Sequence, residues 1–223
     1  MLLPVRAVES MKILVTGGTG FIGRRLIRCL LDAGHEVRAT VRPTSRLDDL
    51  PTSDIEFVHA DLRADDNWLN AIAGVDAVLH LASLLKTPWK KDFTAVNVEG
   101  TRRITRMCAA QLSPPVLILV SSLAAAGPVG PQEIRTETDV AMPISIYGRA
   151  KRAAEQAAEA YVEQVPITIV RPPMVFGSGD VATAPIFQAV RRGIHVVPKW
   201  NAFRISMVHV DDLVAGLTKS ITK

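Results

Sequence analysis

The chain has 223 residues, 48% of them apolar and 22% charged, with a net charge of +4. This is an ordinary globular composition, enough for one large α/β domain or a main domain with a small appendage. The basic residues are scattered or paired, as in Arg24-Arg25, Arg102-Arg103 and Arg191-Arg192. They read as solvated helix faces and phosphate contacts, not as a nucleic-acid surface, and no apolar run approaches the length of a membrane span.

Residues 1–10 are too short for a signal peptide and read as an N-terminal extension, with Met11 the expected native start. Cys29 and Cys108 fall in predicted helices far apart in sequence. Reduced core thiols are expected, in keeping with a cytoplasmic protein.

The apolar run from Met11 to Val15 predicts a buried strand, and TGGTGFIG at 16–23 predicts a glycine-rich turn opening into a helix that ends at Gly34. Strands are then predicted at 35–41, 55–59, 75–80, 116–120 and 166–170. Helices are predicted near 65–73, from about Trp89 to Gln111, and from about Ser145 to Gln164, the last rich in Ala, Glu, Lys and Gln. Residues 124–143 carry Gly, Pro, Thr and Glu without periodicity and read as a lid or substrate loop. Asp211-Asp212 reads as the cap of a helix beginning at Leu213. Strands alternating with helices at this spacing give an α/β fold, a Rossmann-type doubly wound parallel sheet.

Ligands of such sheets lie beyond the carboxyl ends of the strands. The first strand delivers the turn that includes Gly17, Thr19, Gly20, Phe21, Ile22 and Gly23. Glycines there allow positive φ, bare backbone against a diphosphate and close helix–strand packing. The helix N-terminus offers N–H groups to the phosphates. The third strand delivers Asp61 and Leu62 for an adenine edge, with a helix N-cap an equal reading of Asp61. The fourth delivers His80, Leu81, Ala82 and Ser83, the small residues letting a cofactor lie close. His80 and His209 read as structural histidines. No His, Cys and acid cluster has metal spacing, so no metal site is expected.

Tyr147 and Lys151 stand four apart, on one face of a predicted helix. A tyrosine is a poor base at neutral pH, and a nearby cation favours its phenolate, so Lys151 is expected to lower the Tyr147 pKa. Ser122, at the end of the fifth strand, can hold a substrate oxygen against the phenol.

In these residues the chain resembles the short-chain dehydrogenases/reductases. More narrowly, it resembles their extended branch, the NAD-dependent epimerase/dehydratase family, and within it the dihydroflavonol-reductase-like members. The resemblance rests on TGGTGFIG, ADL at 60–62, HLAS at 80–83, VNVEGT around Asn97, VSSLAAAG at 120–127, YGRAK at 147–151, RPPMVFGSGD at 171–180 and VHVDDL at 208–213. It implies Tyr147 as general acid/base, Lys151 on the nicotinamide ribose as well as on the tyrosine, and Ser122 as the third catalytic residue. Asn97 would support the helix and water network beside them. The Arg171-Pro172-Pro173 segment, followed by Val175, would lie along the nicotinamide. It also implies a NAD(P)-binding domain over 11–175 and a small, apparently truncated C-terminal substrate lobe over 176–223 that returns to the first domain. A homodimer is expected by analogy, through the helices near 89–111 and 145–164.

Some branches place an acid after the second strand to bind the adenosine 2′-hydroxyl. Here the sequence is Val41-Arg42-Pro43-Thr44-Ser45-Arg46, which favours NADP(H) over NAD(H) through Arg42 and, secondarily, Arg46. The leading expectation is an NADP(H)-dependent carbonyl reductase or alcohol dehydrogenase acting on a small molecule. One alternative is a nucleotide-sugar epimerase or dehydratase, for which Arg204 stands near the expected diphosphate position. A second is a non-catalytic NADP(H) sensor.

Overall fold

The computed structural model describes residues 10–64, 67–130, 132–194 and 205–221. Six strands form one all-parallel sheet: β1 (Lys12–Thr16), β2 (Glu36–Val41), β3 (Ile55–His59), β4 (Ala77–His80), β5 (Val116–Val120) and β6 (Ile167–Val170). Their spatial order is β3-β2-β1-β4-β5-β6, the doubly wound order in which the chain reverses direction between β1 and β4. All six lie where the apolar runs predict them.

The side chains of β1 alternate between two apolar layers, as a buried strand requires. Ile13 and Val15 pack with Leu26, Ile27 and Leu30 of α1 (Phe21–Asp32). Leu14 packs on the other face with Trp68 and Ile72 of α2 (Trp68–Ile72). Each such fully buried side chain contributes about 1.5–3 kcal/mol relative to exposure.

The helix predicted as one element from 89 to 111 is interrupted. A short α3 (Lys90–Phe93) passes into a π-helical turn over Thr94–Val98 and then into α4 (Glu99–Ala109). The stretch after β5 begins with a helical turn, α5 (Leu123–Ala126), before the chain loses regular structure. Next comes α6 (Ile146–Glu159), capped by Ser145, whose side chain accepts from Gly148 N.

Sequence periodicity did not anticipate a second, two-stranded parallel sheet. It pairs β7 (Met174–Phe176) with a later strand, β8 (Met207–His209), and α7 (Ala184–Arg191) lies between them in sequence. The last helix, α8 (Val210–Lys219), returns to the main sheet, where Val210, Leu213, Val214 and Leu217 join the layer of α1. It begins three residues before the predicted Leu213. His209 is its cap, accepting from Asp211 N, while Asp211 grips Arg25 of α1 through both carboxylate oxygens. The histidine ring offers the acceptor, which frees the aspartate for the arginine. Cys108 is fully buried, whereas Cys29 is only partly so; both are free thiols. Among the described residues no helix is long and apolar enough to cross a membrane.

Candidate active site

The carboxyl ends of β1 and β4 stand level, with Thr16 beside His80. This is the point where the strand order reverses and a crevice is expected. A cleft of about 510 Å³ opens there.

Its base is the glycine turn, and Gly17, Thr19, Gly20, Phe21, Ile22 and Gly23 all line it. Gly17 has φ +73°, and a Cβ on it would meet Ala82 N at 2.7 Å. A Cβ on Gly23 would stand 2.2 Å from Gly17 O. Only glycine lets helix, turn and strand close to this degree. Gly20 enters α1 in extended conformation, no side chain caps that helix, and no acid occupies its first turn. The N–H groups and the positive dipole end are left available to an anion, and a dinucleotide diphosphate fits that requirement. Arg24 braces the turn, donating from Nε to Thr19 O at 2.9 Å and pairing with Asp49.

The ends of β2 and β3 bring Arg42, Asp61 and Leu62 to the cleft, together with Ser45 and Arg63. Arg46 does not line it. Asp61 Oδ1 accepts from Arg63 N at 2.9 Å, and α2 starts only after Asn67, so Asp61 is not a helix cap.

Leu81, Ala82 and Ser83 form the wall after β4, and a buried chain of hydrogen bonds holds that wall. Thr101 Oγ1 donates to Asn97 O at 2.7 Å, so it must accept from His80 Nε2 at 3.1 Å. Burial pushes the His80 imidazole down to about 3, aided by the Lys151 charge. The ring is therefore neutral, Nδ1 carries no proton, and Thr16 Oγ1 donates to it at 2.7 Å while accepting from Ala82 N at 3.1 Å. Asn97 completes the clamp, its amide exchanging two bonds with the backbone of Leu84 at 2.7 and 3.0 Å. The π-helical turn aims Asn97 at that loop, and such turns recur at functional sites. Asn97 is buried and does not reach the cleft surface. Its bonds fix the loop after β4, and it does not stand among the cleft's lining groups.

At the far end stand Ser122 and Tyr147, both lining the cleft. Ser122 lies two residues beyond the end of β5 and caps α5, accepting from Ala124 N. Gly148 lets α6 settle on α5, since a Cβ there would lie 2.3 Å from Ala124 O. That contact brings Tyr147, in the first turn of α6, to Ser122. Burial pushes the phenol up, and its hydrogen bond with Ser122 opposes the shift. The expected lowering by Lys151 is overturned: burial of the phenol is the larger effect and leaves it raised. Lys151 lies beneath the cleft, 3% exposed, and donates from Nζ to Val120 O at 2.7 Å. Burial pushes it down to about 8, with Glu155 pulling the other way.

Pro172 and Val175 line the cleft, joined by Pro173. Arg171 turns away from it to make a two-pronged pair with Glu155 of α6, Nε–Oε1 2.9 Å and Nη2–Oε2 2.7 Å. Asp180, the last residue of the RPPMVFGSGD segment, and Ala182 also line the cleft, though neither was singled out as a site residue. Arg204 lies outside the described residues.

A Rossmann sheet with a bare glycine turn at one end of its crevice and Ser, Tyr and Lys at the other defines a dinucleotide-binding protein of the short-chain dehydrogenase/reductase class. The model of the NAD dependent epimerase/dehydratase family matches residues 13–223, and the chain belongs to that family. It is 34% identical over 210 residues to a putative dihydroflavonol 4-reductase of Synechocystis sp., covering 91% of this chain and 60% of that one. It is 32% identical over 203 residues to a ceramide reductase of Caulobacter vibrioides, covering 91% and 58%. Among solved structures, UDP-glucose 4-epimerase of Thermus thermophilus in complex with NAD superposes with a TM-score of 0.81 at 25% identity, covering 96% and 75%. The chain spans about three fifths of the length of the two curated relatives.

Proposed function

We propose that this chain carries the cofactor site and catalytic groups of an NADP(H)-dependent reductase or dehydrogenase acting on a small ketone or the corresponding alcohol. The observation that carries the proposal is the meeting of Ser122 and Tyr147 at one end of the cleft, over the buried Lys151, opposite the uncapped glycine turn. Both curated relatives above bear reductase names, which supports reduction over epimerisation.

The turn from Gly17 to Gly23 would hold the diphosphate, Asp61 and Leu62 the adenine, Leu81 to Ser83 the middle of the cofactor, and Pro172 and Val175 the nicotinamide end. When bound, the nicotinamide supplies or takes up a hydride at the substrate carbon. Ser122 steadies the substrate oxygen through its hydroxyl. Tyr147 gives that oxygen a proton in reduction and removes it in oxidation. The raised phenol suits proton donation, and the Lys151 ammonium beneath it would favour the phenolate when the reverse step is needed.

Preference for NADP(H) is supported by Arg42 and Arg63, two cations at one end of the cleft, with Ser45 beside them. A 2′-phosphate would take charge-assisted bonds from both. Comparing NADPH and NADH affinities tests this, and equal binding would contradict it. A nucleotide-sugar epimerase is the second reading, supported by the likeness to the Thermus epimerase. Thermal-shift screening with nucleotide sugars against simple ketones separates the two. The proposal extends to a cytoplasmic homodimer through α4 and α6, whose outer faces expose Arg102, Arg149 and Gln156. Sedimentation at micromolar concentration would report a monomer if that face is not used.

A further inference from the structure

Glu155 is a fully buried carboxylate that no step of the proposed reaction uses. It stands one turn beyond Lys151 and two beyond Tyr147 on the same helix, so the three share a face. Its oxygens accept from four donors. Ser121 Oγ reaches Oε1 at 2.5 Å, Arg171 supplies its two bonds, and Arg152 Nη1 reaches Oε2 at 3.1 Å. Ser121 precedes Ser122, and Arg171 precedes Pro172 in the cleft wall. The ends of β5 and β6 are thereby tied through one carboxylate to the helix that carries Tyr147.

The charges around Lys151 make the same point. His80, facing it from β4, is neutral. Arg171, at the end of β6, and Arg152, on α6, are both cations. Tyr147 is un-ionised, and Ser121, Ser122, Thr16 and Thr101 carry no charge. Glu159 is a carboxylate engaged with Arg152 at 2.5 Å. Glu155 is the buried carboxylate that acts on Lys151. An isolated buried ammonium would shed its proton.

We infer that Glu155 is a positioning residue for Tyr147 and Lys151, its carboxylate locking both strand ends to α6 and serving as the counter-charge that keeps the buried lysine cationic. The inference rests on the functional reading above only in taking Lys151 as the group that must stay charged.

The test is a ¹³C NMR pH titration of Lys151 in the full chain labelled with [ε-¹³C]lysine, the signal being assigned by its loss in Lys151→Met. Glu155→Gln keeps the shape and an acceptor oxygen but removes the charge. Lys151 should titrate near 8 in the parent and about one pH unit lower or more in Glu155→Gln. An unchanged midpoint would overturn the inference. Should Glu155→Gln not fold, Glu155→Gln with Arg171→Met also removes the guanidinium that would lose its partner, and Lys151 must still shift downward. NADPH binding, followed by its fluorescence, separates the two ideas. A shifted lysine in a chain that binds no NADPH preserves this inference and sinks the functional reading, while NADPH binding with an unmoved lysine does the reverse.

Discussion

Lys151 donates to the carbonyl oxygen of Val120 at 2.7 Å, fastening the middle of α6 to the last residue of β5. Ser121 and Ser122 follow that residue directly, so the lysine sets the height of the serine against Tyr147 as well as the local charge. Lys151→Met should cost more than charge alone, because Val120 O loses its donor inside the protein. A loss of about 1–3 kcal/mol is expected, measured by urea unfolding against the parent at pH 7.

Gly23→Ala forces a methyl toward Gly17 O, 2.2 Å away in the unrelaxed structure. The turn must open, and overpacking of this kind costs about 1–3 kcal/mol. Calorimetry should show a lower Tm, and titration should show NADPH affinity reduced at least about tenfold, since the turn that receives the phosphates has moved.

Arg42→Ala and Arg63→Ala should each weaken NADPH by roughly tenfold or more while leaving NADH within a fewfold, the loss of one charge-assisted bond being worth about 1.5–3 kcal/mol. Isothermal titration with both cofactors measures it. Equal losses for the two would place the arginines away from the 2′-phosphate.

His80 is neutral in the fold down to about pH 3, whereas its free imidazole titrates at 6.5. Between those values the unfolded chain binds a proton that the folded chain refuses. Its contribution is complete above about pH 6.5 and is lost as pH falls toward 3, on the order of a few kcal/mol across the window. Urea unfolding at pH 7.5 and 5 should show the decline, and His80→Gln should flatten it.

Strand positions were legible because most of the strands are short apolar runs bounded on at least one side by Gly, Pro or polar residues, and the sheet buries both its faces. Ser122, Tyr147 and the glycine turn were legible because their spacing has a local meaning. What sequence could not give were pairings across long separations. Arg38 reads as an ordinary strand residue, yet its Nη1 donates to the carbonyls of Asn70, Ala71 and Ala73 and so closes the end of α2. Arg171 read as part of the cofactor wall until Glu155, sixteen residues earlier, claimed both its prongs. The β7–β8 pair joins strands of three residues each, too short for any period to show.

The central claim is that Tyr147 moves the proton of an NADPH-dependent carbonyl reduction. The direct measurement is NADPH consumption by the parent and by Tyr147→Phe over a panel of ketones and aldehydes, with NADPH affinity measured on the same samples. The account predicts an unchanged affinity and a turnover lower by about 10²–10⁴-fold in the variant. Turnover by Tyr147→Phe equal to that of the parent would contradict it.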